Sequence, residues 1–296
     1  MHWPVQRTPV SNADVPFFNL QYLHGCETPA DPTMVWGSEV DVENLENYVR
    51  ARNADSQILL SPAHVLLQAV GRALAMHIDL NRRVIGRRVY EFSRVNILTS
   101  LYSKQRRDVD VVVIKDADLI ALDEIARVLW KASYEAMRDA SPMARDKRRL
   151  RRLPGWLLGR LLRTYLWLDR HVRLPIWGRI DRLRSGPVLV NYLSFHGIPP
   201  LLAYKPAVFP TGSWMLNVTM GPAQQKPVVQ DGQIVVRPMA PLFVRADHRT
   251  ADAYLLGQFV SSLRNLLADP AQMELHGQEG GGQAPERRSK TKPLAA

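Results

Sequence analysis

The spacing of apolar side chains predicts helices in four segments of the chain. Residues 61–77 begin with a serine and a proline, which are typical of an N-cap and a first helical turn, and apolar side chains then recur at helical period. Residues 41–50 carry acids in their first turn, which favours a helix there. The same apolar period recurs in residues 122–138 and 251–267. Each of these segments therefore has one face suited to a shared core.

Shorter apolar segments, rich in β-branched residues, predict strands between these helices. They cover residues 35–42, 88–101, 109–114, 187–193, 214–220 and 241–246. The pair Asp231-Gly232 joins two further apolar runs and predicts a β-hairpin. Because the helices and strands do not alternate strictly, we expect an α+β fold with a mixed sheet.

Composition restricts the class of protein. With 296 residues and 46% apolar side chains, the chain is long enough to bury a large core. Cys26 is the only cysteine, which excludes an internal disulfide and a zinc cluster built from cysteines and favours a reducing compartment. The first residues show no apolar signal segment, and no window has the run of about 18 apolar residues that spans a membrane. We therefore expect a cytoplasmic protein that is soluble or peripheral to a membrane.

One histidine stands in a context that suits acid–base chemistry. His248 follows the last predicted strand and precedes a predicted helix, with Asp247, Arg249 and Asp252 beside it. A neutral imidazole can accept and return a proton near pH 7, and loops at strand ends often carry catalytic side chains. Taken alone, the spacing fits equally well a histidine that only stabilises a charged turn.

Residues 247–252, with the pattern Asp-His-Arg-x-x-Asp, resemble a family motif. The motif is Asp-His-Arg-x-x-Asp-Gly, from the catalytic domain of 2-oxo acid dehydrogenase dihydrolipoamide acyltransferases, which belong to the chloramphenicol acetyltransferase-like superfamily. Further similar segments are residues 37–42, 66–74, 112–118, 218–236 and 254–270. The resemblance covers roughly residues 30–270 and is most specific in residues 215–270.

The resemblance implies a chloramphenicol acetyltransferase-like α+β fold and a homotrimer with active sites between subunits. It implies an enzyme that moves an acyl group between coenzyme A and an acceptor, without a covalent acyl-enzyme. By this resemblance His248 is the general base, and Asp252 orders the loop, usually with an arginine partner. Arg7 and Arg249 are both candidates for that partner, and Arg249 and Ser194 are candidates for contacts with coenzyme A.

Two positions depart from the family pattern. Asn191 stands where the family usually has a serine or threonine that donates a hydrogen bond to the tetrahedral oxyanion. A side-chain amide can donate in the same way, and loss of one such donor costs about 10²–10³ in rate. Ser194 is an alternative donor, and Asn191 also fits an ordinary strand-end asparagine. Ala253 replaces the glycine after Asp252. These departures leave a second hypothesis open, a non-catalytic binding or assembly protein that retains the fold.

The resemblance also suggests how the chain is divided. Residues 34–270 would form the catalytic domain, after an irregular arm of residues 1–33 and before a tail at residues 271–296 whose composition predicts disorder. The arm is too short for a lipoyl or peripheral-subunit-binding domain, so we expect a stand-alone acyltransferase with a small-molecule or lipid acceptor. No histidine pair has the spacing of a metal site, so no metal is expected.

A basic insertion at residues 143–185 interrupts the similarity. Residues 145–184 hold thirteen Lys and Arg against three acids, nearly the whole net charge of +11. The polar and glycine-interrupted aromatic motifs that usually accompany nucleic-acid binding are absent, which argues against nucleic acid as a partner. The insertion predicts a helix between Pro154 and Pro175 with one apolar and one basic face. The apolar face comprises Leu157, Leu158, Leu161, Leu162, Tyr165 and Leu168, and the other face Arg160, Arg163, Trp167 and Arg170.

Three roles remain open for the insertion. A basic amphipathic helix flanked by tryptophans (Trp156, Trp167, Trp177) is typical of peripheral contact with an anionic membrane surface. The apolar face could equally pack against the core or another subunit. The arginines could also contact the phosphates of coenzyme A.

Overall fold

The structure is a computed structural model. It describes residues 7–11, 14, 33–55, 57–85, 88–103, 108–138, 140–141, 145, 149–150, 152–171, 185–194 and 216–274.

Five helices and ten strands are described. The helices are α1 (Glu43–Asp55), α2 (Pro62–Met76), α3 (Leu122–Met137), α4 (Gly155–His171) and α5 (Ala253–Ala268), with a 3-10 turn at Ile78–Leu80. The strands are β1 (Arg7–Pro9), β2 (Thr33–Asp41), β3 (Arg82–Ile85), β4 (Arg88–Phe92), β5 (Ile97–Ser103), β6 (Asp108–Ile114), β7 (Val188–Tyr192), β8 (Leu216–Met220), β9 (Gln224–Gln230) and β10 (Gln233–Asp247).

Seven strands form one mixed sheet. Its order is β2-β10-β8-β7-β5-β6, with β9 paired to the first half of β10. β5, β7 and β8 run parallel, whereas the other pairs are antiparallel. A separate small sheet has the order β1-β4-β3. The predicted α+β architecture with a mixed sheet is therefore confirmed.

The two faces of the large sheet differ in character. Side chains such as Val190 and Val244 lie on one face and join α2, α3 and α5 in a single apolar core. The opposite face begins with Leu98 and Leu189 and continues with polar residues. Because successive strand residues point to opposite faces, this face also receives Asn191.

Close backbone contact fixes α2 against the rest of the domain. A Cβ added at Gly71, in the middle of α2, would lie 2.6 Å from the carbonyl oxygen of Ala117. Only glycine allows this approach, even though it lowers the intrinsic stability of a helix. The middle of α2 is thereby held against the turn that follows β6.

Several predicted boundaries need correction. The β-like segment 88–101 is two strands in different sheets, and the segments predicted on either side of residue 237 are one strand of 15 residues, β10. The arm predicted to be irregular contributes β1, which pairs with β4. The predicted tail begins too early, because Met273 is buried in the core. Residues 275–296 lie outside the described residues, so the tail beyond Glu274 stays a prediction.

Candidate active site

His248 lies in the turn that joins β10 to α5. Its Nδ1 atom is 2.7 Å from the carbonyl oxygen of Ala251. A carbonyl can only accept a hydrogen bond, so the ring proton must be on Nδ1. Nε2 therefore carries the lone pair of the neutral ring. This is the tautomer that a general base requires, and the half-buried ring is held in one orientation.

The residues around His248 make the turn rigid. The carboxylate of Asp247, which is 5% exposed, accepts hydrogen bonds from the backbone N, Nε and Nη2 of Arg249 at 3.0, 2.9 and 2.6 Å. The carbonyl oxygen of Asp247 accepts from the backbone N of Thr250 and of Ala251. This buried, bidentate ion pair fixes the loop on which the imidazole stands.

Asp252 orders the loop by capping a helix. Its Oδ1 accepts a hydrogen bond of 2.7 Å from the backbone N of Leu255, as an N-cap residue does. Arg249 pairs with Asp247 instead, and the Arg7 side chain lies outside the described residues. Ala253 is the first residue of α5 and has no positive φ, so the methyl group that replaces the family glycine causes no backbone strain.

Asn191 belongs to a polar network on the side of the sheet opposite the helices. Its Oδ1 accepts a hydrogen bond of 2.5 Å from Ser100 Oγ, and its Nδ2 lies 3.4 Å from Asn217 Oδ1. Thr219 Oγ1 donates to the same Asn217 oxygen at 3.0 Å. The contact with Ser100 orients the Asn191 amide so that its NH₂ group is the donor.

Sequence reasoning missed Ser100, Asn217 and Thr219. Ser100 lies on a different strand, 91 residues before Asn191. Only the register between β5, β7 and β8 brings these side chains together, and no local motif reports it.

Ser194 is the alternative donor predicted from the sequence. It follows the end of β7 and hydrogen-bonds to the hydroxyl of Tyr192. Burial raises the pKa of the Tyr192 phenol above its usual 10.0, and the hydrogen bond to Ser194 opposes that change. Ser194 is therefore engaged on the helix-covered side, and Asn191 is the better placed donor on the other side.

His248 and Asn191 lie far apart within one chain. Asn191 pairs with Thr219, which pairs with Phe243 on β10. His248 lies five residues after Phe243, just past the end of β10, and Asn191 lies two strands away from β10. At about 3.3 Å per residue and about 4.8 Å per strand, their Cα atoms are on the order of 20 Å apart. A single chain cannot bring both groups to one substrate carbonyl.

The helix of the basic insertion is α4, and one of its faces is exposed. Trp156 and Trp167 are 66% and 57% exposed, and they flank Arg160 and Arg163 on that face. The Arg160 guanidinium lies 5.8 Å from the centre of the Trp156 ring. Leu161 is the exception to the predicted apolar face, because it is 48% exposed. The side chains of Leu162 and Arg170, and the residues Pro175 and Trp177, lie outside the described residues.

In the described part of the chain, no cluster of three or more His, Cys, Asp or Glu side chains suits a metal ion. No helix among these residues is long and apolar enough to cross a membrane.

Comparison with known proteins supports the resemblance seen in the sequence. Residues 215–275 match the family model of the 2-oxoacid dehydrogenases acyltransferase catalytic domain. That segment contains β8, the β9–β10 hairpin, the His248 turn and α5. The predicted resemblance is thus confirmed where it was most specific. No curated protein sequence matches the chain significantly.

Solved structures extend the similarity to the whole domain. A probable dihydrolipoamide acetyltransferase from Listeria monocytogenes has a TM-score of 0.59 at 19% identity, over 93% of this chain and 97% of that one. Chloramphenicol acetyltransferase has a TM-score of 0.56 at 13% identity, over 88% of this chain and 100% of that one. The chain has the chloramphenicol acetyltransferase-like fold. This confirms the predicted fold class.

A third solved structure also shares the fold. The dihydrolipoamide acetyltransferase of Azotobacter vinelandii has a TM-score of 0.60 at 18% identity, over 86% of this chain and 88% of that one. In that enzyme the roles of a serine, a histidine and an asparagine in the catalytic mechanism were investigated. The histidine and asparagine there lie four residues apart, as His248 and Asp252 do here.

Proposed function

We propose that this protein is a coenzyme A-dependent acyltransferase that works as a homotrimer and uses a small-molecule or lipid acceptor. The observation that carries the proposal is the hydrogen bond from His248 Nδ1 to the Ala251 carbonyl, which leaves Nε2 as a proton acceptor on a rigid turn. The family match over this turn and the fold of the whole domain support the same reaction class.

The proposed reaction is direct transfer through a tetrahedral intermediate. His248 Nε2 takes the proton from the thiol or hydroxyl of the acceptor, and the resulting nucleophile attacks the carbonyl carbon of the acyl thioester. The Asn191 amide donates a hydrogen bond to the oxyanion. The C–S bond then breaks, and the imidazolium returns its proton to the departing thiolate of coenzyme A. Protons and electron pairs balance without a metal or a covalent acyl-enzyme.

The proposed site needs two subunits. Since His248 and Asn191 are on the order of 20 Å apart in one chain, the oxyanion donor for one His248 must come from a neighbouring chain. A closed ring of three subunits with head-to-tail contacts gives each His248 one partner's donor, and thus three equivalent sites.

The direct test is the variant His248→Ala. We expect it to lower kcat/KM for acyl transfer by several powers of ten, because it removes the base without changing the Asp247–Arg249 pair or the Asp252 cap. Activity is measured as thiol release from a panel of acyl-CoAs with thiol and hydroxyl acceptors. The matched control His171→Ala lies on the exposed insertion helix and should leave the rate unchanged.

The same assay separates the enzyme from a non-catalytic binding protein. Wild-type protein that binds coenzyme A but releases no thiol with any acyl-CoA would favour the binding protein. Full activity in His248→Ala would refute the proposed base.

We further propose that α4 contacts an anionic membrane surface. Exposed Trp156 and Trp167 flank Arg160 and Arg163, so the exposed face combines rings suited to the interface with charges that attract acidic lipids. On the other side of the helix, Leu157 and Leu158 are half-buried. Such contact would bring the enzyme to a lipid acceptor.

Co-sedimentation with vesicles of phosphatidylserine and phosphatidylcholine tests the contact. We expect the double variant Trp156→Ala/Trp167→Ala to reduce the bound fraction at least tenfold, and high salt to reduce binding of the wild type. Trp130→Ala, which removes an exposed tryptophan outside the insertion, is the matched control and should bind as the wild type does. Equal binding by the double variant and the wild type would contradict the proposal.

A further inference from the structure

A cavity lies on the helix-covered side of the sheet, away from the His248 turn. Its volume is about 360 Å³, within the lower part of the range for small-molecule sites. It is bounded by the start of α2, by α3 and by the ends of β5 and β7, and its lining is mostly apolar. Leu59, Tyr102 and Trp130 surround its mouth and are 61%, 46% and 48% exposed. A buried apolar ligand would enter between these side chains.

His64 is the polar group best placed to select a ligand there. Its side chain lines the cavity, and the residue is only 4% exposed. Its Nδ1 accepts a hydrogen bond of 2.9 Å from the backbone N of Ser61, so the ring proton is on Nε2. Within the described part of the chain, the hydrogen bonds of the His64 ring are all made by Nδ1, and Nε2 makes none. Burial lowers the pKa of His64 to about 4, which keeps the ring neutral near pH 7.

The rest of the cavity indicates what the Nε2–H group would meet. Ser61, Ala63 and His64 place the N-terminus of α2, a helix of 15 residues, at the cavity wall. A helix N-terminus favours oxygen acceptors and negative charge and disfavours cations. A neutral donor in an apolar pocket at this position suits a carbonyl or carboxylate oxygen attached to a hydrocarbon chain.

We propose that this cavity binds a medium-chain fatty acyl group whose carbonyl oxygen accepts a hydrogen bond from His64 Nε2. The chain fills the apolar lining between α2, α3 and the sheet. A free fatty acid and a fatty acyl ester share this chemistry. The proposal does not rest on the acyltransferase reaction.

The cavity is separate from the proposed catalytic groups. Val190 and Tyr192 line it, whereas Asn191 between them points to the other face of the sheet. Ser100 is common to both regions, because it lines the cavity and donates to Asn191. A ligand in the cavity would therefore lie next to Ser100, the residue that is hydrogen-bonded to Asn191.

Calorimetric titration with three ten-carbon probes tests the proposal on the full chain. Decanoate and methyl decanoate represent the two sources of the acyl group, and decyltrimethylammonium has the same chain without an acceptor. We expect at least one of the acyl probes to bind once per chain, and decyltrimethylammonium to bind at least tenfold more weakly. Octanoate should bind more weakly than decanoate by about three- to fourfold per missing methylene.

Two variants assign the binding to this cavity. Ala63→Leu adds bulk at its wall, and we expect at least a tenfold loss of affinity for the acyl probes. Ala75→Leu, exposed on the same helix, is the matched control and should bind normally. His64→Phe keeps a ring but removes the donor, and it should abolish the preference for acyl probes over decyltrimethylammonium. Thermal melts identify any variant that has not folded.

Each binding result tests a different part of the proposal. Absence of binding by every acyl probe, or full affinity in Ala63→Leu, would overturn the cavity as the site. Equal affinity for decyltrimethylammonium would overturn the role of His64. His248→Ala should bind the probes as the wild type does, so failure of the catalytic proposal would leave this one standing.

Discussion

At the scale of single residues, hydrogen bonds decide what each polar side chain can do. The Ala251 carbonyl fixes the ring proton of His248 on Nδ1, and Ser100 fixes the orientation of the Asn191 amide, whose NH₂ group lies next to Asn217. The sequence predicted both residues through the family pattern, but it did not reveal Ser100. A residue 91 positions earlier in the chain fixes the Asn191 amide, and only strand register reports that.

Substitutions of Asn191 test its role as a donor. Asn191→Ala removes the amide, and we expect kcat to fall about 10²–10³-fold with little change in KM, because the contact forms only in the transition state. Asn191→Ser restores the family side chain and should recover most of the rate. Steady-state kinetics on both variants measure this. Equal kcat in Asn191→Ala and wild type would assign Asn191 a structural role only.

At the scale of elements, the sequence predicted the positions of the helices well, but it predicted poorly where one strand ends and the next begins. The helices begin and end within a few residues of their predicted bounds, because apolar period and caps are local signals. The segment 88–101 was predicted as one β-like stretch. In the structure, Asn81 Nδ2 donates hydrogen bonds to the carbonyl oxygens of Phe92 and Arg94, and β4 ends there before β5 begins. That long-range contact leaves no periodic signal.

We expect His64, at the start of α2, to make the free energy of unfolding depend on pH. His64 has a folded-state pKa of about 4 and an unfolded value near 6.5, so the unfolded chain binds the extra proton between these values. Stability is therefore complete above about pH 6.5 and falls as the pH drops towards 4. Over this pH range, we expect the free energy of unfolding to fall by up to about 3 kcal/mol more in the wild type than in the non-titrating variant His64→Gln.

Urea unfolding of the wild type and His64→Gln between pH 4 and 7 measures this difference. The two curves of unfolding free energy should converge as the pH falls, because only the wild type loses stability through His64. Parallel curves would show that His64 keeps an ordinary pKa in the folded state.

At the scale of the whole molecule, the fold separates the groups that its proposed chemistry requires. His248 and Asn191 both lie at the carboxyl ends of their strands, but β10 and β7 run in opposite directions, so one chain presents half of a site at each of two places. The family pattern predicted a homotrimer, and the geometry supplies a physical reason for it. The sequence could not show this separation, because it depends on the order and direction of β7, β8 and β10.

The most direct test of the shared site is complementation between two inactive variants. His248→Ala and Asn191→Ala are each purified, then unfolded together and refolded as mixed trimers. Random mixing should give about a quarter of the sites both wild-type groups, because each site takes one group from each of two subunits. We expect acyl transfer to recover to about a quarter of the wild-type rate, well above either variant alone. Mixed trimers that remain as inactive as the separate variants would contradict the shared site.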